Sequence, residues 1–150
     1  MLDMVKHITI NDKEYPLAFT LNVMESVQEK YGTIAEWGKV LQPTEKVIDE
    51  TTGKVAIDKE TGEEIIRTLE PKIKDIIWTF KEFVNEGIDI ENEEKSEKRQ
   101  FLTSKQVGRL ISNFGMLETT AIMQGITVGS MKNDDSKNEQ TTQMTETNPA

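Results

Sequence analysis

The chain has 150 residues, with 18 basic and 27 acidic side chains, a net charge of −9 and no cysteine. This acidic balance argues against nucleic acid and against an anionic membrane surface as partners, because both need a basic face. The lack of cysteine excludes disulfides and thiolate chemistry, and no apolar run approaches the ~20 residues of a membrane span. The first residues lack the basic region and apolar run of a signal peptide.

The N-terminal segment predicts a β-hairpin over residues 7–19. Apolar and polar residues alternate from Ile8 to Ile10, and a second extended run covers 14–19. The intervening Asn-Asp-Lys predicts a turn, because Asn and Asp tolerate left-handed backbone angles. Pro16 cannot donate a hydrogen bond to a ladder, which favours an edge strand. Two strands alone are marginal in water, so we expect their apolar face to pack on helices.

Apolar residues at helical spacing predict five helical segments. The first covers about 21–31 after Thr20, and a shorter one follows between Thr33 and Pro43. The strongest pattern spans about 70–86 and is expected to end at Gly87. Another helix begins at Thr103 or Ser104 and is broken at Gly115. A weaker segment runs over 116–131.

Three stretches are expected to lie outside these helices. Residues 44–68 contain two similar phrases, Glu-Thr-Thr-Gly-Lys and Lys-Glu-Thr-Gly-Glu, each typical of a turn with Gly at positive φ. We interpret this stretch as one or two exposed hairpins or as a mobile loop. Residues 88–101 are rich in charge, which predicts a surface loop. Almost nothing in 131–150 can be buried, which predicts a disordered tail.

The sum of these elements is a mainly α (α+β) fold. We expect one small helical domain over residues 1–130, with a short N-terminal β-hairpin, a decorated β-prone loop at 44–68 and a disordered C-terminal tail at 131–150. Trp37 and Trp78 each fall on an apolar helical stripe. Core packing is therefore expected for both, in preference to a role as exposed anchors.

The sequence contains no pattern that predicts catalysis or a metal site. His7 is the only histidine and has no partner suggested by the sequence, so we expect an ordinary surface or edge residue. No P-loop, GxGxxG, GxSxG or HExxH motif occurs. The acidic run over 89–94 lacks the spacing and central Gly of a calcium loop, which favours a solvated charge run. We therefore expect no enzymatic activity, no cofactor and no metal.

The last two helical segments carry the candidate partner-binding residues. Methionines, glycines and small residues alternate there with large apolar side chains. Such a composition is typical of a weakly specified core helix, but also of an adaptable apolar surface, because Met packs against varied partners. The residues chosen for a partner surface are Phe114, Met116, Leu117, Ile122, Met123 and Ile126.

Two phrases resemble a known family. ITINDKEYPL at 8–17, then Phe19-Thr20 and a helix closing with EKYG at 29–32, resemble the start of the tail assembly chaperones of long-tailed bacteriophages and prophages of Gram-positive bacteria. FVNEGI at 83–88, an acidic stretch and LTSKQVGRLI at 102–111 resemble that family's second half. The match covers residues 7–41 and 70–130. Asp12 stands where Gly is expected, and the stretch 44–68 has no place in the family pattern.

The resemblance implies a function. Such chaperones bind the tape measure protein, a long, helix-rich chain that sets tail length, and keep it soluble until tube subunits polymerise around it. They act in the cytoplasm of the bacterial host and are absent from the mature virion. Many have a longer form made by ribosomal frameshifting, to which the tail here would be a suitable linker. We also expect self-association, for which the hairpin offers an edge.

Other functions are compatible with the same residues. A structural virion protein, such as a tail completion or tube-associated subunit, would also be small and would also oligomerise. An acidic mimic of nucleic acid would need its carboxylates ordered on one face, whereas many are predicted here in loops.

Overall fold

A computed structural model describes residues 4–146 of the chain, with side chains from 4 to 131. Within this part the protein is mainly helical and begins with a short antiparallel hairpin, which confirms the fold class predicted from the sequence. The elements are β1 (Val5–Ile10), β2 (Lys13–Ala18), α1 (Leu21–Tyr31), α2 (Ile34–Leu41), β3 (Thr44–Lys46), β4 (Ile66–Thr68), α3 (Ile73–Glu94), α4 (Ser104–Phe114) and α5 (Met116–Glu146).

The chain divides into two compact units. One consists of residues 1–26 and 77–150, and the other of residues 27–76. The single domain over 1–130 stays a prediction. Residues 131–146 of the tail predicted to be disordered belong to α5, and 147–150 lie outside the described residues, so disorder of the tail stays a prediction.

The hairpin of the first unit forms as predicted. β1 and β2 are antiparallel, and His7 lies opposite Pro16. Asn11 and Asp12 both have positive φ, as the turn requires. The apolar side chains of β2 are buried, and the Phe19 ring lies 5.4 Å from that of Phe83 on α3. The hairpin is therefore stabilised by packing on a helix, since two strands alone would be marginal.

The prediction that Gly87 ends the long helix is wrong. α3 continues to Glu94, so the first half of the predicted surface loop at 88–101 is helical, and Ile88 and Ile90 are buried. A Cβ on Gly87 would lie 2.6 Å from the backbone C and O of Pro16. The glycine is needed because the backbone of β2 passes directly over α3 at this point.

The segment after α3 is fixed to that helix by two asparagines. Asn92 accepts a hydrogen bond from the N–H of Arg99 and donates one to its carbonyl, both at 2.9 Å. Asn85, two turns earlier, makes the same pair with the backbone of Leu102, at 2.8 and 3.1 Å. The capping box of Thr103 with Gln106 then starts α4. These bonds satisfy backbone groups of a segment without secondary structure of its own.

Residues 44–68 of the second unit form three short antiparallel arms, which we call the three-armed element. β3 and β4 make the first arm, and two bridged turns at 49–54 and 58–63 make the others. At the junction three backbone hydrogen bonds of 2.8–2.9 Å close a ring, in which each corner residue donates to the next. Both bridged turns are hairpins, which is one of the two interpretations drawn from the sequence. The corner residues are Val47, Ala56 and Ile65.

The two turns of this element have the same local geometry. In the first, Asp49 Oδ1 accepts from the backbone N–H of Thr51 at 2.9 Å, and Gly53 has φ +71°. The second repeats both features nine residues later, with Asp58 and Gly62 in the equivalent positions. Positive φ at both glycines is what the sequence predicted, because only Gly adopts it without strain.

Candidate functional site

The six residues predicted to bind a partner do not form one surface. Leu117 is 83% exposed, and Met116 is also exposed. Met123 is only 2% exposed, so its side chain belongs to the core of the first unit. The remaining three are half-buried: Phe114, Ile122 and Ile126. The structure places these last two on the same side of α5, near the buried face and away from Leu117.

The buried face of α5 is set by Thr119 and Met123, which are one turn apart. Thr119 can be fully buried because its hydroxyl donates to the carbonyl of Gly115 at 2.7 Å. Thr127 makes the same bond to Met123, at 2.8 Å. The helix therefore satisfies the hydroxyls of these two threonines, and its opposite side is exposed to solvent.

That other face nevertheless carries an apolar stripe. Leu117, Ala121 and Val128 recur at i, i+4 and i+11, and Met131 follows at i+14. Residues at this spacing lie on one side of a helix, and all four are exposed. We call them the α5 stripe. Of these four residues, only Leu117 was predicted to bind a partner, because residue type alone does not show which side of the helix faces away from Thr119 and Met123.

A second cluster joins the hairpin to α3. His7 Nε2 lies 2.8 Å from Glu91 Oε2, and Lys95 Nζ lies 3.2 Å from the same oxygen. His7 is exposed on β1, as expected of a surface residue, but it has a partner that the sequence did not suggest. Glu91 is buried, which by itself raises its pKa, but the hydrogen bonds from His7 and Lys95 outweigh this effect and lower the pKa below its ordinary value. The cluster keeps a buried carboxylate ionised and ties β1 to α3.

A groove of about 400 Å³ adjoins this cluster and is lined by four basic side chains. Arg99 lies over the Tyr15 ring at 4.7 Å and donates to the carbonyl of Glu14 at 2.9 Å. Lys98 donates to the carbonyl of Asn92, and Lys95 is bonded to Glu91. These cations hold the end of α3 and the segment that follows it, where the helix dipole favours positive charge. Their arrangement is that of a helix end and not of an anion site.

In the second unit the Tyr31 hydroxyl donates to buried Asp75 at 2.8 Å. Burial and the adjacent carboxylate both raise the pKa of this phenol, so it remains a hydrogen-bond donor. Trp37 is buried in the same unit, as predicted, and Trp78 of the first unit is half-buried. Within the part of the chain that is described, no His, Asp and Glu side chains are grouped as three or more metal ligands.

Among the described helices, none has the length and apolar character to cross a bilayer. Comparison of the chain with protein-family models, curated proteins and solved structures found no match. The resemblance to tail assembly chaperones therefore stays a prediction from the two sequence phrases.

Proposed function

We propose that this protein is a tail assembly chaperone of a long-tailed bacteriophage or prophage of Gram-positive bacteria. It binds the tape measure protein in the cytoplasm of the host and keeps that chain soluble during tail assembly. The observation that carries the proposal is the α5 stripe, an exposed apolar side of a helix on a protein with a net charge of −9. The proposal assigns no enzymatic step and no cofactor.

An apolar helix side is the kind of surface that a helix-rich client requires. Amphipathic helices bind through side chains at i, i+3, i+4 and i+7, and Leu117, Ala121 and Val128 present a matching row. An exposed row of this kind promotes aggregation unless something covers it or keeps copies apart. The net negative charge keeps copies apart. The complex of many such copies with one long chain would then stay dispersed, and its stability would gain from multivalency.

The two phrases that resemble the family form elements that fit this role. The first phrase forms the hairpin and α1. The second forms the end of α3, the segment that Asn85 and Asn92 fix to α3, and α4. β1 and β2 make a two-stranded sheet. The backbone of β2 packs on α3 at Pro16, so the outer edge of β1 is the edge proposed to pair with a neighbouring copy. We propose self-association through this edge along the client chain.

The first test is co-expression with the long, helix-rich product encoded next downstream, followed by size-exclusion chromatography with light scattering. We expect the long chain to be insoluble alone and to elute with many copies of this protein. A double variant, Leu117→Asp and Val128→Asp, should lose the complex without unfolding, because both side chains are exposed. Leu21→Asp is the control, since the exposed fraction of Leu21, 76%, lies between those of Val128 and Leu117 and this residue lies at the start of α1.

Three results would contradict the proposal. The long chain could stay insoluble in the presence of this protein. The stripe variant could keep the complex intact. Mass spectrometry of purified particles could find the protein in finished virions, which would favour a structural virion subunit.

A further inference from the structure

The three-armed element carries one exposed isoleucine directly after each corner. Ile48, Ile57 and Ile66 are spaced nine residues apart, and their exposed fractions are 53%, 57% and 59%. β-propensity alone does not require isoleucine at these places, because threonine is also β-branched and favours strands. The same large apolar side chain therefore occurs three times at equivalent exposed positions.

Backbone pairing places all three isoleucines on one face. Directly paired residues of antiparallel strands share a face, and so do residues two apart along a strand. Ile48 is paired with Val55, which is two residues before Ile57. Ile57 is paired with Glu64, two residues before Ile66. Ile66 is paired with Lys46, which is two residues before Ile48. All three isoleucines therefore lie on the same face.

This face, which we call the isoleucine face, has an acidic border. Residues 44–70 contain eight acidic and four basic side chains, which give a net charge of −4. Two of the basic residues are paired within the element, Lys46 with Glu64 and Arg67 with Glu45. The two turns, 49–54 and 58–63, contain five acidic and two basic side chains, so they have a net negative charge. Such a border repels a second copy of the chain and attracts a basic partner.

The element is also ordered in advance of binding. Both turns are held by an Asp side chain and a positive-φ glycine, and the ring of three hydrogen bonds fixes the corners. A surface that is already ordered loses little conformational entropy when a partner binds. These features distinguish the element from a mobile surface loop.

We propose that the isoleucine face docks a basic amphipathic helix of another protein. The partner's apolar side covers the three isoleucines, and its Lys or Arg side chains meet the carboxylates of the turn tips. A helix fits this face because the face offers apolar side chains, whereas an added strand would bind a backbone edge of the arms and leave the isoleucines uncovered. This docking does not depend on the tape measure assignment, and it uses the unit of the protein that does not contain the α5 stripe.

The test uses fluorescein-labelled model peptides of about 18 residues, long enough for a helix of about 27 Å. One is an amphipathic Lys/Leu helix, one has the same composition in scrambled order, and one is an amphipathic Glu/Leu helix. Fluorescence anisotropy measures their binding to the full-length protein at physiological salt. The variant is Ile48→Thr, Ile57→Thr and Ile66→Thr, which keeps β-branching and charge. The matched control is Met4→Thr, Leu21→Thr and Phe101→Thr, which removes three other exposed apolar side chains.

We expect the amphipathic basic peptide to bind the wild type and the control, and to bind the isoleucine variant about 10- to 100-fold more weakly. The scrambled and acidic peptides should bind much more weakly to every variant. Equal binding to the wild type and the isoleucine variant would overturn the proposal, because charge alone would then explain the binding. Absence of binding to the wild type would also overturn it.

Two further measurements keep the proposal falsifiable if the isoleucine variant does not fold. The first is the triple variant Glu50→Lys, Glu60→Lys and Glu63→Lys, which leaves the isoleucines in place. It should bind the basic peptide more weakly than the wild type does. Unchanged binding would contradict the proposed role of the acidic border. The second is light scattering of the wild type. A dimer that the Glu-to-Lys variant strengthens would show that the occupant of the face is a second copy.

Discussion

Replacing Gly87 by alanine tests the close approach of β2 to α3. The new Cβ would lie 2.6 Å from the backbone C and O of Pro16 and 3.0 Å from the N of Leu17. Since carbon atoms pack best at about 3.5–4.0 Å, the hairpin must move away by roughly 1 Å. Backbone cannot yield as a flexible side chain does, and Leu17 and Ala18 are fully buried at this place.

The magnitude follows from two opposing effects. Overpacking of this kind costs about 1–3 kcal/mol, and the gap opened beside Leu17 removes further dispersion contacts. Alanine offsets up to about 1 kcal/mol of this loss of stability, because its helix propensity is better than that of glycine. We therefore expect the free energy of unfolding to fall by about 2 kcal/mol, and Tm to fall by about 4–8 °C for a chain of this length.

The assay is urea and thermal unfolding followed by circular dichroism. Gly38→Ala is the matched control, because Gly38 also lies within a helix but its Cβ would have nothing within 4 Å. It should be neutral or more stable by up to about 1 kcal/mol. If Gly87→Ala were as stable as Gly38→Ala, β2 would not pack on α3 as described, and the explanation for the uninterrupted helix would be refuted.

Three further changes test the contacts around α3 and α4. Asn85→Ala leaves the N–H and carbonyl of Leu102 unpaired and should lower the free energy of unfolding by about 1–3 kcal/mol. Thr103→Ala removes the N-cap of α4 and should lower it by about 1 kcal/mol. Glu91→Gln should lower it by about 1 kcal/mol at pH 7. Because the folded pKa of Glu91 lies below its ordinary 4.5, the wild type loses this advantage as the pH falls through that lowered value.

Urea titrations measure all three, the last across a pH series, and each has an exposed control. The control for Asn85→Ala is Asn113→Ala, the control for Thr103→Ala is Ser112→Ala, and the control for Glu91→Gln is Glu93→Gln. Each control changes the same residue type or a similar one at an exposed position of the same or the neighbouring helix. Equal losses in control and test would contradict the first two predictions. A stability difference for Glu91→Gln that stays constant from pH 7 to strongly acidic pH would contradict the third.

The features of the fold that could be predicted from the sequence are set by residues close together in the chain. The hairpin turn at Asn11-Asp12, the stop at Gly32 and the start of α4 at Thr103 depend on residues close in the chain, and all three were predictable. The continuation of α3 through Gly87 was not, because the reason for that glycine is a strand some 70 residues earlier. A glycine near the end of an apolar pattern predicts a helix stop unless a distant backbone needs the space.

The partners of the polar residues could not be predicted from the sequence for the same reason. His7 and Glu91 are 84 positions apart, and no local pattern joins them. Asn92 suggested a loop by composition, whereas it lies on α3 and, like Asn85, binds the backbone of the following segment. The candidate partner residues lie on α4 and α5, the two helices predicted to carry them. The sequence could not separate Leu117 from Met123, because the orientation of α5 is set by packing.

The ring of three hydrogen bonds limits how residues 44–68 can vary between related genes. Each repeat is nine residues, so the gain or loss of one keeps the reading frame and the turn sequence. A ring with three donors and three acceptors, however, closes only with three corners. Loss of one repeat would leave an ordinary hairpin, and gain of one would leave a fourth corner residue outside the ring of hydrogen bonds. In related genes we therefore expect substitutions and short insertions at the two turn tips, where the chain is exposed, and a constant number of repeats.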